Sequence, residues 1–322
     1  MEKNIIHNID FLNNTLPDKC ANLIIADPPY YEVKGDFDFI WETFDDYLKD
    51  VEKWAIECKR ILADNGTLFW YGDDKNIAYS QIIIDKYFKL TNNLIWYKYN
   101  LRGGMFGSTG GENVRSFPIC TERILMYENE EAVNQCTLIH KEFFKSVYDK
   151  INETAKIEDF INCLLELKIA SSKESAKVLA TYKTGKHNSR FDFLSKQMYD
   201  FIGNWNYSFE ELKFEYEELK NKYEELRRPF TNIFGLNEVL QFNTNTDKHE
   251  HDTVKPEKLT RALILTCSRE NDLVVVPFAG SGTECAMSVK EKRNFVGFEI
   301  TPKHTEMSNK RVQKILKEPT LF

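Results

Sequence analysis

Leu23-Ile24-Ile25-Ala26-Asp27-Pro28-Pro29-Tyr30 decides how the rest of the sequence is read. A short apolar run that stops at a double proline reads as a buried strand, because neither proline can donate to a sheet and the first keeps its predecessor extended. The loop after it leaves the carboxyl end of a strand, where open α/β sheets bind ligands. Asp27 offers a carboxylate, the Pro28 carbonyl is a second acceptor, and Tyr30 adds a rigid aromatic face. Two acceptors and a ring suit a planar heterocycle with an exocyclic amino group, namely a nucleobase drawn out of its duplex. Taken alone, the same residues serve equally well as a strand end with a proline turn.

Leu273-Val274-Val275-Val276 is a second buried-strand run, and it feeds Pro277-Phe278-Ala279-Gly280-Ser281-Gly282-Thr283 before a helix expected over 284–290. Small residues at a strand-to-helix turn let a ligand approach the backbone and the helix N-terminus. No Gly-Lys-Ser/Thr follows, so this is not a Walker loop, and Cys285 stands where a dinucleotide fingerprint has its third glycine. The next strand ends in Glu299, where an acidic side chain can hold ribose hydroxyls. A nucleoside cofactor without a pyrophosphate fits better than NAD.

The remaining elements extend this pattern. Strands are expected at 4–7, 67–71, 90–99, 122–127 and 237–242, and helices at 45–62, 77–88, 258–267 and 303–316. Asp64-Asn65-Gly66 is expected to stop the first long helix. Alternating strands and helices imply a parallel sheet covered on both faces. Residues 31–44, rich in aromatics and acids, form a loop suited to closing over an extruded base. Asp73-Asp74 reads as helix capping rather than a metal site, and His249-Glu250-His251 lacks a further zinc ligand. From 128 to 230 helical signals dominate, with amphipathic helices at 157–169 and 172–181, Ser172 acting as a cap, and a short heptad seam from Phe209 to Leu226. The expected domains are therefore 1–127 and 235–322, forming one catalytic fold, and an insert of 128–234.

The net charge of −7 argues against a generally basic nucleic-acid binder, so DNA contacts must come from local patches. Two are present. Arg102 and Arg115 lie in a glycine-rich stretch that reads either as a DNA-ordered loop or as a plain linker. Lys183, Lys186, His187 and Arg190 lie between short helices and read either as part of a helix-turn-helix-type reader or, as charge runs usually are, as a solvated face. Seven scattered cysteines without a Cys-x-x-Cys pair are consistent with reduced thiols. Residues 1–4 lead into no apolar signal region and no run is long enough to span a bilayer, so a cytoplasmic protein is expected.

Together these motifs resemble the S-adenosylmethionine-dependent DNA amino-methyltransferases. Asp27-Pro28-Pro29-Tyr30 looks like that family's catalytic motif, and Phe278-Ala279-Gly280-Ser281-Gly282-Thr283 like its cofactor loop. His251-Asp252-Thr253-Val254-Lys255-Pro256 is similar to the segment that binds the methionine end of the cofactor. The order of motifs is similar to the permuted beta group. The resemblance covers about residues 4–127 and 235–315, and it departs from the family at Val276, where Asp is usual before Pro277.

The resemblance implies an α/β Rossmann-like methyltransferase fold, with a mostly parallel, largely seven-stranded sheet and a helical target-recognition insert. It implies a catalytic set of Asp27, Pro28, Pro29 and Tyr30, and a cofactor set of Asp10, Asp27, Thr253, Lys255, Pro277, Phe278, Gly280, Ser281, Gly282, Thr283 and Glu299. As the alternative for Asp10, an Asp before a helix is usually a simple cap. The expected reaction is methyl transfer from S-adenosylmethionine to N6 of adenine in a specific double-stranded DNA sequence, without a metal. Cytosine-N4 transfer is the nearest alternative, since that family more often has Ser in the position of Asp27. Glutamine amide methylation, typically with Asn there, and a catalytically dead DNA-binding protein are the others. A homodimer and a companion restriction endonuclease are further expected partners.

Overall fold

The structure is a computed structural model that describes residues 1–33, 38–99, 117, 119–129, 157–168, 170–177, 221, 225, 227–244 and 254–317. The chain divides into two compact units, Met1–Glu130 with Arg228–Phe322, and Glu131–Arg227.

The first unit is built on eight strands: β1 (Ile5–His7), β2 (Ala21–Ala26), β3 (Leu62–Gly72), β4 (Lys89–Tyr97), β5 (Thr121–Glu128), β6 (Val239–Gln241), β7 (Leu273–Val276) and β8 (Asn294–Phe298). Their order in the sheet is β1-β8-β7-β2-β3-β5-β4-β6, and only β5 runs against the rest. The expectation of largely seven strands is thus one short among the described residues. β6 adds an edge strand beside β4, pairing Ile95 with Val239 and Tyr97 with Gln241.

Side chains alternate across the sheet, as the two-residue period of a strand requires. Leu23, Ile25, Val274 and Val276 enter one core, while Ile24, Ala26 and Val275 enter the other. Helix α1 (Phe44–Ile61) covers the second face with Tyr47, Val51, Trp54, Ala55, Cys58 and Ile61. Those positions recur at three and four residues, the spacing of one helix face. Thr43 caps the start of α1 by accepting the Asp46 N–H, and Lys59 and Arg60 suit its carbonyl end. Helix α2 (Ile77–Ile84) lies beside it. The opposite face is covered by α4 (Glu257–Cys267), α5 (Thr283–Lys290) and α6 (Pro302–Lys317). Fully burying a side chain such as Val51 or Ile264 contributes about 1.5–3 kcal/mol.

Two expected boundaries are corrected. Asp64-Asn65-Gly66 does not stop α1, which ends at Ile61 when Leu62 turns extended and the chain runs directly into β3. Ala21 pairs with Leu62 and Leu23 with Thr67, so β3 bulges between these pairs. Gly66 serves that bulge: a Cβ there would lie 2.5 Å from Leu62 Cδ1 and 3.0 Å from the Ala21 carbonyl oxygen. Helix α2 ends at Ile84, short of residue 88.

In the second unit, α3 (Ile157–Glu166) buries Ile161 and Leu164, and Ser172 Oγ accepts the Ser175 N–H at 3.1 Å. The heptad seam, apart from 221 and 225, lies outside the described residues, as does His249-Glu250-His251. No helix among the described residues is long and apolar enough to cross a membrane.

Candidate active site

The sheet order creates the site. β2 and β7 are parallel neighbours, with Leu23 beside Val274 and Ile24 beside Val275. From β2 the chain goes through α1 to β3 on one side, and from β7 through α5 to β8 on the other. Two connections that diverge from adjacent parallel strands leave a crevice at their carboxyl ends. There a cavity of about 460 Å³ opens, walled by Asp27, Pro28, Pro29 and Tyr30 after β2 and by Pro277, Phe278, Gly280 and Ser281 after β7. That volume lies within the range of small-molecule sites.

The glycine turn is fixed from behind. Gly280 and Gly282 have φ of +45° and +70°, a region that favours glycine. A Cβ on Gly282 would also fall 2.8 Å from Ser308 Cβ. Ser308 Oγ donates to the Gly280 carbonyl at 2.6 Å, and Arg311 of α6 donates to the Ser281 carbonyl at 3.2 Å and to Thr283 Oγ1 at 3.0 Å. Gly282 and the buried Thr283 lie behind Gly280 and Ser281, which line the cavity. They shape the turn that presents Gly280 and Ser281.

Glu299 does line the cavity, and it also holds the turn: Oε2 accepts the Gly280 N–H at 2.9 Å and Oε1 the Thr301 N–H at 2.8 Å. Asp10 lines it too while capping the short turn Phe11–Asn13 through the Leu12 N–H at 2.8 Å. Phe11, Trp54 and Phe278 form an apolar wall, with Trp54 and Phe278 edge to face at 5.0 Å between ring centres.

Around Asp27 the site is charged. Tyr30 donates its hydroxyl to Asp27 Oδ1 at 2.7 Å, and Lys255 Nζ lies 2.9 Å from Asp27 Oδ2. Burial, reinforced by the charge of Asp27, pushes the Tyr30 hydroxyl well above its ordinary range, so it stays a donor. Lys255 also reaches Glu122 Oε2 at 3.2 Å, and Lys98 pairs with Glu122 Oε1. Burial alone would lower the lysine, but Asp27 and Glu122 outweigh it and hold Lys255 protonated. Burial would likewise raise Glu122, and Lys255 with Lys98 holds it ionised below its ordinary range. Asp38, 2% exposed, accepts the Tyr30 N–H at 2.6 Å and ties the motif to the loop that follows.

Four of these residues are not marked by sequence. Lys98, Glu122 and Asp38 sit in stretches that look like polar strand edges and an acidic loop. Glu284, 5% exposed and in the cavity wall, directly follows the glycine turn. Burial and the charge of Asp27 push its carboxyl up to about 7. An acid among small and apolar residues was its only available signal. Asp73 accepts the Lys75 N–H at 2.9 Å, and Asp74 pairs with Arg123 at 2.8 Å. Among the described residues no group of three or more His, Cys, Asp or Glu is placed to hold a metal ion. Thr253, Arg102, Arg115, Lys183, Lys186, His187 and Arg190 lie outside the described residues.

Comparison with known proteins agrees with this geometry. Over 321 residues the chain is 25% identical to the Type II methyltransferase M.HinfI of Haemophilus influenzae, across 95% of this chain and 66% of that protein. It is 23% identical over 317 residues to the DNA adenine methyltransferase YhdJ of Escherichia coli (strain K12), across 96% and 82%. Among solved structures, the DNA modification methylase TTHA0409 of Thermus thermophilus, complexed with S-adenosyl-L-methionine, superposes with a TM-score of 0.53 at 14% identity, covering 98% of this chain and 95% of that one. PvuII DNA methyltransferase (cytosine-N4-specific) gives 0.54 at 13% identity, covering 97% and 91%. At these identities the structural likeness is one of fold. The DNA methylase family profile matches residues 21–310, and the chain belongs to that family of N6 and N4 amino-methyltransferases.

Proposed function

We propose that the protein binds S-adenosylmethionine and transfers its methyl group to N6 of adenine in a specific double-stranded DNA sequence. The observation that carries this reading is the shared cavity. Asp27-Pro28-Pro29-Tyr30 and the glycine turn, more than 240 residues apart in sequence, wall one space at the switch point of the sheet.

The residues suit this cofactor. Seven carboxyl groups and two lysines line the cavity, a balance that favours a ligand carrying sulfonium and ammonium charges. Phe11, Trp54 and Phe278 accommodate an adenine ring, and Glu299 retains lone pairs for ribose hydroxyls beyond the two N–H groups it accepts. When bound, the cofactor supplies an electrophilic methyl group. Asp27 and the Pro28 carbonyl then each accept one N–H of the adenine amine. This favours the tetrahedral nitrogen whose lone pair can attack, and positioning with fixed acceptors supplies most of the rate. Tyr30 packs against the extruded base while its hydroxyl steadies Asp27.

Asp27 at the first position of the motif supports adenine, as does the similarity to the DNA adenine methyltransferase YhdJ. The insert, with Lys183, Lys186, His187 and Arg190, is the element assigned to reading the DNA sequence, with Arg102 and Arg115 touching phosphates. A homodimer, a cytoplasmic location and a companion endonuclease belong to the same reading. The last is supported by the Type II designation of M.HinfI.

Sequencing that detects modified bases, on DNA from cells with and without the gene, is the test. N6-methyladenine at one recurring motif, lost when Asp27→Ala replaces the wild type, is the expected result. N4-methylcytosine would assign the other base, and unmodified DNA would refute the function.

A further inference from the structure

Asp27 is gripped at both oxygens, and the grip on one of them reaches back through two further charges. Lys255 spans Asp27 Oδ2 at 2.9 Å and Glu122 Oε2 at 3.2 Å, and Glu122 Oε1 pairs with Lys98. The side chains of Lys98, Glu122 and Lys255 are 15%, 18% and 8% exposed. Lys98 follows β4, Glu122 lies in β5, Lys255 precedes α4 and Asp27 follows β2. Four separate parts of the chain thus form a line of alternating sign. Such a buried line is weak evidence for stability, because well-packed apolar residues commonly serve a fold as well or better. Its placement needs another reason.

The reason lies at the end of the line. The Lys255 ammonium sits over the rings of Tyr71 at 4.9 Å and Tyr30 at 5.6 Å, so its position is set by aromatic faces as well as by carboxylates. A carboxylate has about four lone-pair directions. Tyr30 takes one on Oδ1 and Lys255 one on Oδ2. With both oxygens pinned, the plane of the Asp27 carboxylate is fixed relative to the cavity.

We infer that Glu122, steadied by Lys98, is a positioning residue: it anchors Lys255 so that Lys255 holds the Asp27 carboxylate in the orientation that meets the substrate amine. This rests on the proposed role of Asp27 as the acceptor of that amine. Glu122 stands in the cavity wall behind Lys255, and its effect on the Asp27 carboxylate passes through Lys255.

The test uses the full chain with labelled S-adenosylmethionine and PCR-amplified bacterial genomic DNA, which carries no modified bases. Glu122→Gln is expected to lower kcat by roughly 10–100-fold while calorimetric affinity for S-adenosylmethionine stays within about twofold. The double variant Lys98→Met/Glu122→Met removes the outer pair together, leaves no lone buried charge and is expected to lose kcat to the same extent. Wild-type kcat in both variants overturns the inference. So does a loss of cofactor affinity that matches the loss of kcat, since Lys255 would then serve the cofactor carboxylate. A wild-type protein that transfers no methyl group overturns the proposed function and this inference with it.

Discussion

Glu284→Gln should make the ligand-free protein more stable at neutral pH. Glu284 is 5% exposed at the start of α5, Thr260 Oγ1 donates to its Oε1 at 3.4 Å, and burial with the charge of Asp27 moves its carboxyl from 4.5 to about 7. The unfolded chain ionises near 4.5 and the folded chain near 7, so between those values only the folded state keeps the proton. Wild-type stability therefore falls as pH rises through that window. At about 1.4 kcal/mol per pH unit, the ionised carboxyl costs the folded protein about 3 kcal/mol above pH 7. Glutamine keeps the oxygen that accepts from Thr260 and has nothing to ionise. The stability difference between variant and wild type should be near zero at pH 4.5, grow through pH 6 and level off above pH 7. Urea unfolding of the sheet unit followed by circular dichroism at pH 5, 6, 7 and 8, with unchanged m values, measures it. A difference that is independent of pH, or a variant less stable than wild type at pH 8, would refute the reasoning.

Tyr30→Phe keeps the ring and removes the hydroxyl from Asp27 Oδ1. A hydrogen bond to a charged group at that strength predicts a kcat lower by roughly 10–100-fold with cofactor affinity preserved, read by steady-state kinetics and calorimetry. Gly282→Ala places a side chain at φ +70° and 2.8 Å from Ser308 Cβ, so thermal unfolding should show a loss of about 1–3 kcal/mol and S-adenosylmethionine should bind more weakly. Glu299→Gln leaves one carbonyl oxygen where two carboxylate oxygens accept from Gly280 and Thr301, so one of those N–H groups loses its partner. The expected cost is about 1–3 kcal/mol in denaturant unfolding; an unchanged midpoint would show that the turn does not depend on this carboxylate.

The sequence made the two strand-end motifs legible because proline and glycine act through local backbone geometry, which needs no partner to be read. Asp27, Tyr30, Gly280 and Glu299 carry that signal directly, and the structure brings all four to one cavity. Gly66 misled because its reason is a neighbour: it makes room for Leu62 and the Ala21 carbonyl at a bulge, and a turn-like triplet gives no hint of that. Glu122 and Lys98 were invisible for a similar cause. Their meaning comes from Lys255, more than 130 residues downstream, and single charges on a strand otherwise read as solvent-facing. The reversed direction of β5 and the edge position of β6 likewise depend on pairing rather than on local preference.

The placement of β7 between β2 and β8 has a consequence during synthesis. β2 leaves the ribosome early but has only one of its two neighbours until residue 276 emerges, so nascent chains shorter than this expose a bare inner edge bearing Leu23 and Ile24. Activity cannot precede the closing of that gap, and an incompletely translated chain is both inert and prone to stick to its fellows. The glycine turn is thereby withheld from the Asp27 loop until β7 is in place.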